Sequence, residues 1–244
     1  MLQLIARSVR GPAHIKEGLP CQDAWWAHRG ESGAIAVVCD GLGSKIHSRE
    51  GARVATQAAR AAWRLWRKGR EASPEEFVRL LEVIWRLKLS ERAHISSLNE
   101  AATTCLVYAE DLTGRALLAQ LGDGLIMRRL RDGRCEPLKN AQTLDFNQTY
   151  ALGTPHSLQE WSLHITNALQ EGEALLMATD GVSEDLEQGR HGALIEWITQ
   201  ELSLEPNPSA ALARELKAWP VPHHRDDKTL LVMWRERESQ EERS

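Results

Sequence analysis

Five short segments hold the residues with the most chemical promise. In each, aspartate stands where an extended run stops or beside a glycine: Gln22-Asp23, Cys39-Asp40-Gly41-Leu42-Gly43, Gly122-Asp123-Gly124, Thr179-Asp180-Gly181 and Asp226-Asp227. Any single Asp-Gly pair is ordinary turn chemistry. Asp40 and Asp180 differ in context, because each closes a strongly apolar run, Ala-Ile-Ala-Val-Val-Cys-Asp and Ala-Leu-Leu-Met-Ala-Thr-Asp. A carboxylate at that point is carried on rigid backbone at the rim of a sheet. If the rims meet, like charges gather, and they stay ionised together only around a cation. Ligands that are all oxygen, with no His or Cys among them, select hard ions such as Mg²⁺ or Mn²⁺. The glycine after each aspartate lets backbone, a carbonyl included, approach such an ion closely.

The elements that must position these groups follow from periodicity. Gly33–Cys39 is short, apolar and β-branched and stops at Asp-Gly, the pattern of a buried strand emptying into a tight loop. Helical spacing of Val54, Ala58, Ala61, Ala62 and Leu65 predicts a helix over Ser48–Trp66. A second helix is announced by Ser73 as N-cap, Pro74 at the first position and Glu76 to close a capping box, with an apolar face of Phe77, Leu80, Leu81, Ile84 and Leu87. Strands are expected at 103–109, 115–121, 125–130, 161–166, 174–179 and 229–234, with hairpin turns at Asp111-Leu-Thr-Gly114 and Asp132-Gly133. Strands, two helices and then a run of strands argue for an α+β fold with antiparallel sheets rather than a doubly wound one. Residues 139–160 form the longest stretch without periodicity, the kind of loop that often serves function. The final RERESQEERS has almost no apolar side chain and reads as a charged tail.

Composition narrows the classes. The chain of 244 residues carries 30 basic and 34 acidic side chains, a net charge of −4, so no overall field attracts nucleic acid or anionic lipid. No apolar run approaches the ~18 residues of a membrane span. The first ten residues lack a basic region followed by an apolar stretch and a cleavage site, so a soluble, cytoplasmic protein is expected. Cys21, Cys39, Cys105 and Cys135 are widely separated and read as reduced structural thiols. Nine Trp against two Phe and two Tyr is an unusual balance, yet Trp63, Trp66 and Trp85 fall on helix faces and Trp161, Trp197, Trp219 and Trp234 in apolar segments, without the strands of interleaved basic residues that a stacking platform needs, which favours core packing over base stacking.

Taken in order, Gln22-Asp23-Ala24, Asp40-Gly41-x-Gly43, Thr103-Thr104, Gly122-Asp123, Thr179-Asp180-Gly181 and Asp226-Asp227-Lys228-Thr229 resemble the metal-dependent protein phosphatase family, the type 2C serine/threonine phosphatases, in a bacterial-like single-domain form. The likeness spans nearly the whole chain and implies one catalytic domain over 1–235, with 236–244 expected to be a charged, disordered tail outside it. It implies a four-layer α-β-β-α sandwich of two antiparallel sheets flanked by helix pairs. Carried over by position, Asp40 would bridge two core Mn²⁺ or Mg²⁺ ions, the Gly41 carbonyl would hold the second, and Asp180 and Asp226 would complete the first. Asp40, Asp180 and Asp226 are thus the implied catalytic set. Asp123 resembles the ligand of a third, weaker metal, and Asp23 would act directly or through water. Departures from the pattern are Ser44 for the last glycine of Asp-Gly-x-Gly-Gly, Leu42 where some members have His, and Ala102 before Thr103-Thr104. Asp227 stands where the family places Asn. Gly18 lies about where a phosphate-binding basic residue is expected, which leaves His14 and Lys16 as the nearby candidates.

The implied reaction is hydrolysis of phosphoserine or phosphothreonine by a metal-activated water. Neither an Asp-x-Asp strand end nor Gly-x-Ser-x-Gly is present to supply a covalent nucleophile. The implied partner is a phosphoprotein opposing a serine/threonine kinase, for a monomer that binds neither nucleic acid nor membrane. The alternative is a catalytically weak phosphoprotein-binding regulatory module of the same fold.

Overall fold

The computed structural model describes residues 1–31, 33–69, 73–138, 149–187 and 189–236. In chain order the elements begin with β1 (Leu2–Val9), α1 (Pro12–Glu17), β2 (Ala24–Gly30), β3 (Gly33–Cys39), α2 (Ser48–Trp66) and α3 (Pro74–Ser90). After a 3₁₀ turn at Leu98–Ala101 come β4 (Cys105–Glu110), β5 (Arg115–Leu121), β6 (Leu125–Arg129) and β7 (Cys135–Pro137). The last third holds β8 (Ser162–Asn167), β9 (Ala174–Ala178), α4 (Asp180–Ser183), α5 (His191–Gln200), α6 (Pro208–Lys217) and β10 (Lys228–Arg235). Two five-stranded sheets result, in the orders β1-β10-β9-β6-β7 and β2-β3-β4-β5-β8, and every pairing is antiparallel.

Strand alternation explains the layering, since successive side chains of a strand leave opposite faces. On β3, Ile35, Val37 and Cys39 pack with α2 and α3, while Ala34, Ala36 and Val38 turn toward the other sheet. The same division separates Cys105 and Val107 from Leu106 and Tyr108 on β4, and Leu230 and Val232 from Leu231 and Met233 on β10. Three apolar layers follow: α2/α3 on one sheet, sheet on sheet, and α5/α6 on the second sheet. The fold is the expected α+β sandwich.

The expected helix faces are largely present: Val54, Ala58 and Ala62 on α2 and Phe77 and Leu81 on α3 are buried, and Leu80 and Ile84 pack against the same core. The buried stripe of α2 is wider than expected, adding Gly51, Ala52, Ala55, Ala59, Trp63 and Trp66, while Leu65 is exposed. On α3 it is Phe77, Val78, Leu81, Trp85 and Leu89, and Leu87 is exposed. Tryptophan sets the rotation, because the three indole N–H groups find backbone acceptors underneath: Trp63 on Glu110, Trp66 on Ser73 and Trp85 on Gly51. The α3 capping box forms as expected, with Ser73 and Glu76 exchanging hydrogen bonds. Asp111 closes its hairpin by accepting from the Thr113 and Arg115 amides.

Of the long aperiodic segment, 139–148 lies outside the described residues; the rest contains Ala151 and Leu152, both buried, with Leu152 bridged to Thr103. Arg235, counted above in the charged tail, ends β10, and 237–244 lies outside the described residues. Cys39 and Cys105 are buried and all four cysteines are free. Among the described residues no helix is long and apolar enough to cross a membrane.

Candidate metal centre

The ends of strands from both sheets meet at one edge of the sandwich. Asp40 leaves the end of β3, and its backbone is clamped on three sides: Thr104 donates its amide to the Asp40 carbonyl at 2.8 Å, the Thr103 hydroxyl donates to the same oxygen at 2.8 Å, and the Asp40 amide donates to Thr104 Oγ1 at 2.9 Å. Thr103 in turn bridges Gly41. A β-carbon on Gly41 would lie 2.8 Å from the Ser48 carbonyl and 2.9 Å from that of Gln22, so only glycine permits this close packing.

Asp123 sits in the turn between β5 and β6. Gly122 and Gly124 flank it with φ of 98° and 96°, left-handed values that favour glycine. Its Oδ2 accepts from the Thr149 hydroxyl at 2.6 Å. Asp180 opens α4 directly after β9, and its Oδ1 accepts the Gly181 amide at 2.6 Å. Carboxylate oxygens of Asp40, Asp123 and Asp180 all lie within 4.8 Å of one another.

Charge is costly here. Burial pushes the Asp40 carboxyl well above the usual range, reinforced by the negative charges of Asp23, Asp180 and Asp123. Burial, with Asp123 and Asp23 nearby, lifts Asp180 to about 7. Asp23 is buried before β2, and desolvation lifts it to about 6 although Thr229 and Thr179 donate their hydroxyls to its Oδ2 at 2.7 and 3.0 Å. Its other oxygen, Oδ1, is buried without a hydrogen-bond partner among the described residues, as is Gln22 Oε1. Clustered carboxylates, orphaned oxygens and a convergent trio that is all oxygen among the described residues fit a hard divalent cation.

Not every residue singled out in the sequence joins this group. Asp226 is exposed and stands outside the convergent trio, although a β-carbon on Gly181 would come within 3.2 Å of the Asp226 β-carbon. Its neighbour Asp227 points inward instead: Oδ1 accepts the Gly11 amide at 2.7 Å, and Oδ2 accepts the Gln22 amide at 2.6 Å and lies 2.9 Å from His14 Nδ1. His14 is therefore held against Asp227, while Lys16 on the same short helix is exposed. Gly18, the C-cap of α1, is left-handed with φ 70°. Positional reading passed over the bracing roles of Asp227, Thr149, Thr179 and Thr229. Three of them lie inside the Thr-Asp-Gly and Asp-Asp-Lys-Thr motifs already singled out.

Comparison with known proteins decides the family. The model of the protein phosphatase 2C family matches residues 10–219. This chain belongs to the protein phosphatase 2C family. Solved structures agree on the phosphatase 2C fold. A serine/threonine phosphatase of Mycobacterium tuberculosis, PstP/Ppp, superposes with a TM-score of 0.64 at 16% identity over 97% of this chain and 99% of that one. PppA, a regulatory component of the type VI secretion system of Pseudomonas aeruginosa, gives 0.64 at 18% identity over 96% and 97%. The catalytic domain of the serine/threonine protein phosphatase PstP in complex with two manganese ions gives 0.62 at 17% identity over 95% and 97%. No curated protein matches in sequence.

Proposed function

We propose that this phosphatase 2C family member is an active metal-dependent protein-serine/threonine phosphatase, with one catalytic domain over residues 1–235. The convergence of Asp40, Asp123 and Asp180 from the rims of both sheets carries this reading. Asp40, the Gly41 carbonyl, Asp180 and Asp226 would hold two core Mn²⁺ or Mg²⁺ ions, with Asp123 toward a third and Asp23 supporting from below. Such ions, when bound, lower the pKa of a water and offset the charge that builds on the phosphoryl oxygens.

The chain's own residues do the positioning. Thr103 and Thr104 fix the backbone of Asp40, so its carboxylate needs little reorganisation. Asp23 is fixed by Thr179 and Thr229, which join the start of β2 to β9 and β10. Asp227 holds the Gly11 and Gln22 amides and His14, and thereby sets α1 against the centre. His14 and Lys16, on that helix, are the groups assigned to meet the substrate phosphate. The manganese complex of PstP supports the choice of ion, and the phosphatases among the structural neighbours support a phosphoprotein substrate opposing a kinase.

Hydrolysis of p-nitrophenyl phosphate and of a phosphothreonine peptide by the dialysed protein tests this. Turnover is expected with added Mn²⁺ or Mg²⁺ and none in excess EDTA. Turnover that survives EDTA would overturn the metal reading. Metal-replete protein that binds the phosphopeptide without hydrolysing it would select the regulatory module.

A further inference from the structure

Among the described residues, one other group of metal-ligating side chains lies outside the carboxylate centre: His47, Glu50 and His94, with ligand atoms within 4.8 Å of one another. Glu50 Oε2 lies 2.7 Å from His94 Nε2, and the two imidazole rings meet edge to face with centroids 5.2 Å apart. An ion pair with Arg92 and a hydrogen bond with His94 would account for Glu50 alone. They leave unexplained why a second imidazole is brought to the same spot.

The backbones that present the ligands are fixed. His47 precedes α2, donates its amide to the Glu100 carbonyl at 2.8 Å, and its own carbonyl accepts the amides of Glu50 and Gly51. No side-chain cap bond engages its ring. His94 lies in the turn after α3, where the Ile95 amide donates to the Arg92 carbonyl and Ile95 packs on the core. Arg92 engages Oε1 of Glu50 and His94 approaches Oε2, so an ion at Oε2 would replace only the His94 contact and leave Arg92 orienting the carboxylate.

We propose that His47, Glu50 and His94 form a second metal site, chemically distinct from the carboxylate centre, that takes a borderline transition-metal ion such as Zn²⁺ or Cu²⁺. Two imidazoles and one carboxylate make a donor set suited to these ions, with water completing the coordination, whereas Mg²⁺ seeks oxygen alone. Bound there, the ion ties the segment after α3 to the start of α2. That start closes the loop leading away from Asp40 and Gly41.

Cu²⁺ is the probe, because imidazole nitrogens split its electron paramagnetic resonance signal and carboxylates do not. With Mg²⁺ in excess to occupy the carboxylate centre, the first equivalent of Cu²⁺ added to the full chain is expected to show coupling to two nitrogens and to yield only to a large excess of Zn²⁺. His47→Gln and His94→Gln should each remove one coupling and weaken binding by at least ~10-fold. His94 is exposed, so that variant keeps the fold. A first equivalent without nitrogen coupling, or with coupling unchanged in both variants, would overturn the site.

Discussion

At the scale of single residues, the carboxylates divide by what they cost and what they hold. Asp40 and Asp180 are lifted by burial and by neighbouring carboxylate charge, Asp23, Asp180 and Asp123 on Asp40 and Asp123 and Asp23 on Asp180, so each weakens the metal-free protein. Asp40→Asn and Asp180→Asn are expected to lower turnover by at least ~10²-fold and yet to raise apo stability by about 1 kcal/mol, roughly 2–4 °C in Tm for a chain of this size. Thermal melts in EDTA beside assays in Mn²⁺ check both halves. Asp227 behaves oppositely. The family pattern places Asn there, which by itself predicts a mild Asp227→Asn change. But its two oxygens together accept two backbone amides and meet His14, and an amide nitrogen would face one of those N–H groups. Asp227→Asn is therefore expected to cost roughly 1–3 kcal/mol, measurable by urea titration; an unchanged midpoint would show that Gly11 or Gln22 finds another acceptor. The metal-binding residues were legible because chemistry restricts their type and motifs restrict their order. The braces were not, because a threonine or second aspartate becomes informative only when a partner 156 or 206 positions away is known, as for Asp23 with Thr179 and Thr229.

At the scale of elements, legibility followed the strength of local signals. Gly33–Cys39, Ser48–Trp66 and the Ser73 cap were readable because run, period and cap agreed. Helix α5 carries no side-chain cap bond at Arg190, and it escaped the periodic reading. Helix α6 had a usable signal in Asn207 followed by Pro208, and Asn207 does cap it through the Ala210 amide. Rotation about the helix axis was legible in part: aliphatic spacing found Val54, Ala58, Phe77 and Leu81, but the indoles of Trp63, Trp66 and Trp85 share the buried stripe while Leu65 and Leu87 turn outward. Helix α3 is further fastened to the segment before β8 by Glu82, which accepts from Trp161 at 2.9 Å and pairs with His156 at 3.0 Å. Burial is the largest influence and opposes ionisation of both partners. Their mutual hydrogen bond and charge attraction, together with the Trp161 bond to Glu82 and the Thr154 carbonyl at His156, outweigh it, lowering Glu82 and raising His156 from 6.5. A raised histidine contributes fully below its unfolded pKa and loses its contribution as pH climbs through the folded value; the lowered glutamate loses its own as pH falls through its folded value. His156→Gln is expected to cost roughly 1–3 kcal/mol near pH 6, with the gap to wild type narrowing toward pH 8.5. Equal gaps at both pH values in thermal melts would mean His156 acts by packing alone.

At the scale of the whole molecule, the carboxylate centre draws on both sheets, so an ion held there rewards only the assembled sandwich. Mn²⁺ at 100 times its dissociation constant should stabilise the native state by about 2.7 kcal/mol, on the order of 5–10 °C in Tm. Asp40→Asn should lose that shift. A shift undiminished in the variant, measured by calorimetry, would place the stabilising ion elsewhere. The pairing of β1 with β10 has a separate consequence, one that concerns time. Ser8 and Thr229 are hydrogen-bonded although 221 positions apart, so a ribosome that has made β1 must continue for roughly 10–45 s before its hydrogen-bonding neighbour exists. Throughout that interval Asp23 lacks Thr229, Gly11 and Gln22 lack Asp227, and the first strand has an open edge. A nascent chain stalled before Lys228 is thus expected to stay protease-sensitive and unable to retain metal. The centre assembles late in synthesis, when the last strand slots in beside the first.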